Sequence, residues 1–580
     1  MKRILGFVKR FLRHKRHLAI GVAAIPIVAL CDIKLTLIIG EALTRLEDEG
    51  GTDFLADVFF ALIGIALVQG IFRFVQRWYI VGVSRRVEVE LKQELFDKLT
   101  ELPMTFHGRS RSGDIVSRLT SDVENLRMLI GPGSMYVLGA LFLAPGSLIV
   151  LFRISPPVAI GMSLPLVLAG WCMRSLTPKL HEYSQAVQES LANISHRAQE
   201  SFSGVRVIKG YGLAGHESSG FTDVSSENRT HQIQMASARG KLHALVNLSY
   251  ELAFLPILVV GGWAMIDDSI AIGDLFTFID LGFKVFWPVM ALGWMAGLYP
   301  RALASAERID ALLEEPRTIA DPAEPVVIDR VTGSFQMRNV SHTYADAPRP
   351  ALTGVTVDVP AGSTLGVVGP TGSGKTTLLS LLARVHEAQG ELKLDRVPVR
   401  DLALDQLRGA IAYVPQDSFL FSDTYRANIE FGSDDELSDE RLAELIDLSG
   451  MTDEVAGFPD GTEQLIGESG VTLSGGQRQR TCIARALARN PRVLVLDDAL
   501  SAVDTETEAR LIDTLRDAGD GRTVVLSAHR LATVRHADRI IALRGGRVDA
   551  QGTHDELLER SDWYRRTWNR QRMLEELEGL

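Results

Sequence analysis

Six long apolar stretches, all within the first 300 residues, constrain this chain more than any other feature: about 18–43, 54–82, 134–153, 156–176, 243–266 and 274–298. About 20 apolar residues suffice to cross the hydrocarbon core as a helix, and lipid tolerates few other backbone forms there. The pattern therefore predicts six membrane-spanning helices. Ahead of the first stand Lys2, Arg3, Lys9, Arg10, Arg13, Lys15 and Arg16 with no acid between them, which places that end in the cytoplasm. The run from Leu18 to about Leu43 is too long for the apolar core of a signal peptide. Ile4–Leu12 is apolar and basic at helical spacing, as in a segment lying along a membrane surface. The first connecting loop holds Glu47, Asp48, Glu49, Asp53 and Asp57 against Arg45 alone, so it faces outward. An even number of crossings returns the chain to the cytoplasm.

Residues 83–130 and 177–240 are polar, with charges at helical spacing, and read as helices continuing past the membrane. Each is interrupted once, at 107–113 and at 209–215, where a turn at the tip of a helical hairpin fits. A final helix is expected after Tyr299-Pro300, stopping near Pro316. The division that follows is a transmembrane domain over 1–315, a proline-marked linker over 316–334, and a second domain over 335–580. There, short apolar strands alternate with helices, the pattern of a mostly parallel α/β domain. The net charge of −11 argues against a nucleic-acid partner. Cys31, Cys172 and Cys482 are far apart, without metal-type spacing, and read as free thiols in a reducing compartment.

In that second domain, the strand-like run Thr364–Val368 feeds straight into Gly369-Pro-Thr371-Gly372-Ser373-Gly374-Lys375-Thr376-Thr377, which opens a helix. Strand, glycine loop and helix together make the phosphate-binding pattern specific. The glycines let backbone N–H groups point inward at the positive end of a helix. Lys375 would neutralise β and γ phosphates, and the Thr376 hydroxyl would hold Mg2+. A second apolar strand ends at Asp497, placed as a further Mg2+ holder, and Gln416 in Tyr413-Val-Pro-Gln-Asp417 is a third candidate for metal or water. His529 follows a third strand, at the edge where ligands gather in such sheets, and suits a γ-phosphate contact. Tyr344 is positioned to stack on a base or to pack in the core. Ser474-Gly475-Gly476-Gln477 begins a long helix with Ser474 as N-cap, another terminus suited to an anion. One domain cannot bring both helix ends to one phosphate; a head-to-tail dimer can.

The ordered set Tyr344, Gly369–Thr376, Gln416, Leu473–Gln477, Asp497, Ser501-Ala-Val-Asp504 and His529 resembles an ABC transporter nucleotide-binding domain. With six spans on the same chain, the whole resembles an ABC exporter half-transporter of the multidrug or lipid type. The resemblance implies a six-span helical domain with long cytoplasmic extensions fused to an α/β P-loop domain, with ATP and Mg2+ as cofactors. It also implies that 501–504, including Asp504, link two ATP sites, and that the tips near 107–113 and 209–216 are coupling helices. Glu468 matches the loop that reports to those helices, although Ser469 stands where the family usually has arginine.

The larger departure is Asp498, where the family's glutamate polarises the attacking water. A carboxylate about 1.5 Å short implies slow hydrolysis at this chain's own site, since about 1 Å of misplacement can cost on the order of 10²-fold. The Leu473–Gln477 turn is intact and would complete a partner's site, so a heterodimer of two half-transporters is the preferred assembly. A homodimeric lipid flippase, or an ATP-gated regulator or channel with little transport, are the alternatives. Charged residues within spans are costly. Asp32, Glu251, Asp280 and Lys284 are therefore candidates for a cavity that takes an amphipathic small molecule, lipid or peptide. Location in a bacterial inner membrane is expected.

Overall fold

The computed structural model describes residues 2–49, 53–345, 347–467, 470, 472–503, 507–508, 510–512, 514 and 521–578. The chain divides into two compact units, Met1–Thr100 with Ser112–Glu315, and Glu101–Arg111 with Pro316–Leu580.

The first unit is helical. Among the described residues, five helices are long and apolar enough to cross a membrane, and the sixth expected stretch lies on the 42-residue helix Ile272–Leu313. The helix Leu55–Glu101 has 47 residues and Pro156–Ser203 has 48. At 1.5 Å per residue each is about 70 Å long, more than twice the hydrocarbon core. The polar stretches 83–130 and 177–240 are therefore helical continuations of spans, as their charge spacing predicts. The first interruption begins earlier than expected, at Leu102-Pro103, ahead of the short helix Met104–Arg109. The second contains the helix Val205–Gly210 before Ala214–Leu252 begins.

The expected helix start after Pro300 is corrected: Ile272–Leu313 runs unbroken through that proline. A membrane helix packed against neighbours tolerates the missing N–H. Instead, π-helical turns mark the third span's approach, at Arg118–Asp122 and at Leu129–Gly133, which contains Pro132. The first and last long helices touch closely, since a Cβ on Gly273 would lie 1.8 Å from the Gly40 carbonyl oxygen. Only glycine allows that backbone approach. Below them, buried Asp122 accepts from Ser305 Oγ at 2.9 Å and from Arg308 Nε at 2.8 Å, tying the third helical segment to the last.

The second unit has two sheets. A four-stranded antiparallel sheet has the order β2-β1-β4-β5, with β1 Phe335–His342, β2 Leu352–Val359, β4 Gln389–Leu394 and β5 Val397–Pro398. The six-stranded sheet is ordered β10-β9-β3-β8-β7-β6. Its strands are β3 Thr364–Val368, β6 Ile411–Val414, β7 Val493–Asp497, β8 Thr523–Ala528, β9 Arg539–Arg544 and β10 Arg547–Gly552. All its pairings are parallel except β9 with β10. β7 and β8 are buried along their whole length, which is why they read as unbroken apolar runs rather than alternating ones. Residues 326–334, expected in the linker, are fastened to this unit. Val326 bridges to Leu402, and the N–H groups of Thr332, Gly333 and Ser334 all donate to the Asp395 carboxylate.

Candidate nucleotide site

The parallel register aligns the strand ends that carry the candidate site residues. Val368 pairs with Ala528, Asp497 with Ser527, and Val414 with Leu496. Gly369, Asp497, Asp498 and His529 therefore emerge on one carboxyl edge of the sheet, where ligands bind in open α/β folds.

The glycine loop is shaped by contacts that a Cβ would destroy. Gly374 has φ +102° and caps the helix Lys375–Leu382, and a Cβ there would lie 2.7 Å from the Ala351 carbonyl oxygen. Thr371 and Gly372 are exposed at the turn, whereas Ser373 is buried and its hydroxyl has no hydrogen-bond partner among the described residues. Lys375 folds back over the loop, its Nζ donating to the Gly369 carbonyl at 2.9 Å. Burial pulls Lys375 below the usual lysine range, and Asp498 and Asp497 oppose that shift. A buried cation and such a hydroxyl on a glycine loop at a helix N-terminus suit a phosphate chain. Tyr344 donates to or accepts from Thr377 Oγ1 at 3.0 Å, and its ring sits edge-on to His342 and His386.

Asp497 is buried and fixed from three sides. Ser527 Oγ donates to its Oδ1 at 2.7 Å, Thr376 Oγ1 to the same oxygen at 3.2 Å, and the Tyr413 hydroxyl to Oδ2 at 3.0 Å. Burial, with Asp497 beside it, holds the Tyr413 phenol far above its ordinary range, so it remains a donor. Thr376 and Asp497 thus present hard oxygens side by side, the donor set that Mg2+ takes. Gln416 is exposed in the turn after β6 and makes no hydrogen bond to either among the described residues.

Asp498 adopts φ +49°. Its N–H donates to Ser527 Oγ at 3.0 Å and to the Ser527 carbonyl at 3.2 Å. Its carbonyl accepts from Ser501 Oγ at 2.9 Å and from Gln479 Nε2 at 3.4 Å. Burial raises the Asp498 carboxyl above the ordinary aspartate range, against the pull of His529 and Lys375. His529 Nε2 lies 3.9 Å from its Oδ2.

Several supports were invisible in the sequence pattern. Gln571, on the helix Asp562–Glu578, holds the loop at His529 by both amide atoms: Nε2 donates to the His529 carbonyl at 2.8 Å, and Oε1 accepts from Leu531 N–H at 2.9 Å. Buried Glu508 accepts from Arg530 and Thr533 just beyond. Gln479 Oε1 accepts from Ala502 N–H at 2.9 Å, tying the helix Gly475–Ala488 to the loop after Asp498. At that helix start Ser474 and Gln477 form the expected cap, each side chain accepting from the other's N–H, at 3.3 and 2.9 Å. Gly475 and Gly476 pack beside Ala502, and a Cβ on Gly476 would lie 2.7 Å from the Ala502 carbonyl oxygen. Among the described residues no hydrogen bond joins 474–477 to 369–377. Asp504, Glu468 and Ser469 lie outside the described residues.

Residues 352–501 match the family described as ABC transporter, and residues 18–289 match its transmembrane region. The multidrug resistance-like ATP-binding protein MdlA of Escherichia coli is 32% identical over 97% of this chain and 95% of its own length. The chain belongs to the ABC transporter family. An ATP-dependent lipid A-core flippase of Chromobacterium violaceum is 33% identical over 87% of this chain and 86% of its own. A bacterial Atm1-family ABC exporter solved with ATP bound covers 98% of both chains with a TM-score of 0.75 at 24% identity, a likeness of fold. This ABC transporter is accordingly a multi-pass membrane ATPase with an exporter's transmembrane region fused to an ATP-binding domain.

Within the transporter's helical unit, three of the four candidate cavity charges meet. Lys284 Nζ lies 2.7 Å from Asp280 Oδ2, and donates to Thr36 Oγ1 at 2.7 Å and to the Asp32 carbonyl at 3.0 Å. The Asp32 carboxylate accepts from Gln69 Nε2 at 2.6 Å and faces Arg73 at 3.4 Å. Gln69, Arg73 and Thr36 were not among the sequence candidates. Two acids and two bases make the cluster formally neutral, as the low dielectric requires. Glu251 is exposed and makes none of these contacts. Its neighbour Tyr250 belongs to an aromatic group with Phe254 and Phe283.

Proposed function

We propose that this transporter is one half of a heterodimeric exporter of amphipathic or hydrophobic compounds from a bacterial inner membrane. In this reading its own ATP site binds nucleotide but hydrolyses it slowly, and its 473–477 turn completes the partner's site. The observation that carries the proposal is Asp498, one methylene shorter than the glutamate expected there and held by backbone hydrogen bonds on both sides. Lys375 and the loop amides would hold the phosphates, Tyr344 the base, and Thr376 and Asp497, with Gln416 as a third ligand, Mg2+. The metal would neutralise phosphate charge. Asp504 would link the two sites. Glu251 and the polar cluster of Asp32, Asp280 and Lys284 would face the translocation path. The likeness to lipid A-core flippases supports a second reading, a homodimer that flips lipids.

The test is the ATP turnover of this chain purified alone in lipid, once nucleotide binding is verified. Negligible turnover that is restored by a glutamate-bearing partner supports the heterodimer. Brisk turnover alone overturns it in favour of the homodimer.

A further inference from the structure

The transport reading leaves unused a cationic cavity that also carries an aromatic wall. It lies where the second apolar stretch ends, lined by residues 74–86 of the helix Leu55–Glu101 and by His17 of the helix Lys15–Glu49, with a volume of about 560 Å3. Its polar walls are His17, Arg77, Arg85 and Arg86, with no acid among the described residues that line it. Arg85 is paired with Glu88 at 2.8 Å, whereas Arg77 and Arg86 are exposed with no hydrogen bond or ion pair among the described residues. The remaining wall is aromatic. Phe74 and Trp78 stack with ring centres 5.5 Å apart, and Tyr79 meets His17 across the two helices at 5.7 Å.

The neighbourhood adds to the charge. The basic N-terminal helix Lys2–Leu12 is held along the same long helix, with Phe11 packed on Val83 and Val87, Arg10 paired with Glu94, and His14 3.1 Å from Glu90. Lys9, Arg13, Lys15 and Arg16 stay exposed beside it. Positive charge puts this end of the span on the cytoplasmic side, and tryptophan and tyrosine settle at headgroup depth. Unpaired arginines in a pocket at that depth match an anionic headgroup, and exposed Phe74 and Trp78 match the upper acyl chain.

We propose that this cavity is a binding site for an anionic phospholipid of the cytoplasmic leaflet, with Arg77 and Arg86 supplying positive charge on either side of its headgroup and Trp78 contacting the chain. The site does not depend on the heterodimer reading or on what is exported.

The test uses full-length protein in nanodiscs, with either phosphatidylglycerol or phosphatidylcholine brominated on the upper acyl chain. Quenching of Trp78 is read as the difference between the native protein and Trp78→Phe. Selective quenching by the anionic lipid is expected, with about a fivefold preference contributed by each arginine. Arg77→Gln combined with Arg86→Gln then removes about 25-fold of it, with nucleotide binding retained as the check on folding. Equal quenching by both lipids in native protein overturns the proposal without recourse to any variant. So does quenching by neither, which means that protein covers the cavity. Displacement by millimolar glycerol phosphate also overturns it, by assigning the site to a soluble phosphate.

Discussion

Asp498→Glu should raise the ATP turnover of the isolated chain about 10²-fold. The added methylene moves the carboxylate forward by about 1.5 Å, and about 1 Å of misplacement is enough for such a change, equivalent to about 2.7 kcal/mol. The native chain could avoid the penalty only by sliding residue 498 forward. Four hydrogen bonds oppose that slide, from Asp498 N–H to Ser527 twice and to its carbonyl from Ser501 and Gln479. Each is worth about 0.5–1.5 kcal/mol, so losing all four costs about 2–6 kcal/mol, comparable with the expected gain or above it. The backbone therefore stays, and the reach stays short. Room for the longer side chain exists, since a cavity of about 190 Å3 lies against Asp498, His529 and Glu508. The assay is phosphate release in nanodiscs at saturating ATP, with nucleotide affinity measured alongside. The reasoning fails if both proteins bind ATP alike and turn over alike, or if the native chain alone already reaches on the order of 1 per second.

Three further outcomes are expected. Gly374→Ala forces a side chain into φ +102° and 2.7 Å from the Ala351 carbonyl oxygen, so nucleotide affinity should fall at least about 10-fold by calorimetry; unchanged affinity counts against the loop geometry. Lys284→Ala leaves Asp280 without its cation in a cluster whose pair is 25% and 33% exposed, and should destabilise the detergent-solubilised protein by about 1–3 kcal/mol. Lys284→Met combined with Asp280→Leu should recover most of that loss, and strict additivity of the two substitutions refutes the pairing. Burial pushes Glu508 above its ordinary 4.5, so the folded chain holds that proton more tightly than the unfolded one. Its contribution to stability is present at acid pH and lost as pH rises from about 4.5 through the raised value; the native thermal midpoint should fall across that window relative to Glu508→Gln, and parallel curves sink the assignment.

Much of the fold and of the nucleotide site was legible because the relevant physics is local. Apolar run length sets where helices can cross lipid, and charge spacing carried 83–101 and 177–203 past the membrane as continuous helix. Likewise Thr364–Val368 leading into Gly369–Lys375, and Ser474 capping Gln477, depend on residues within a few positions of one another. Pro300 misled because local propensity favours a break there, whereas the helix in place is decided by its packing.

The sequence by itself determined the apolar spans, the glycine loop after Val368 and the aspartate at 498. Apart from the local Ser501 bond, tertiary structure decided how that acid is held. The Ser527 and Gln479 contacts to Asp498, the Gln571 grip on the His529 loop, and the Asp32, Gln69, Arg73 and Lys284 cluster all join residues 19 or more positions apart. Such partners are polar side chains with no period and no flanking signal. Only the packing that brings their backbones together specifies them, because a buried polar group must find whatever donor or acceptor the fold sets beside it.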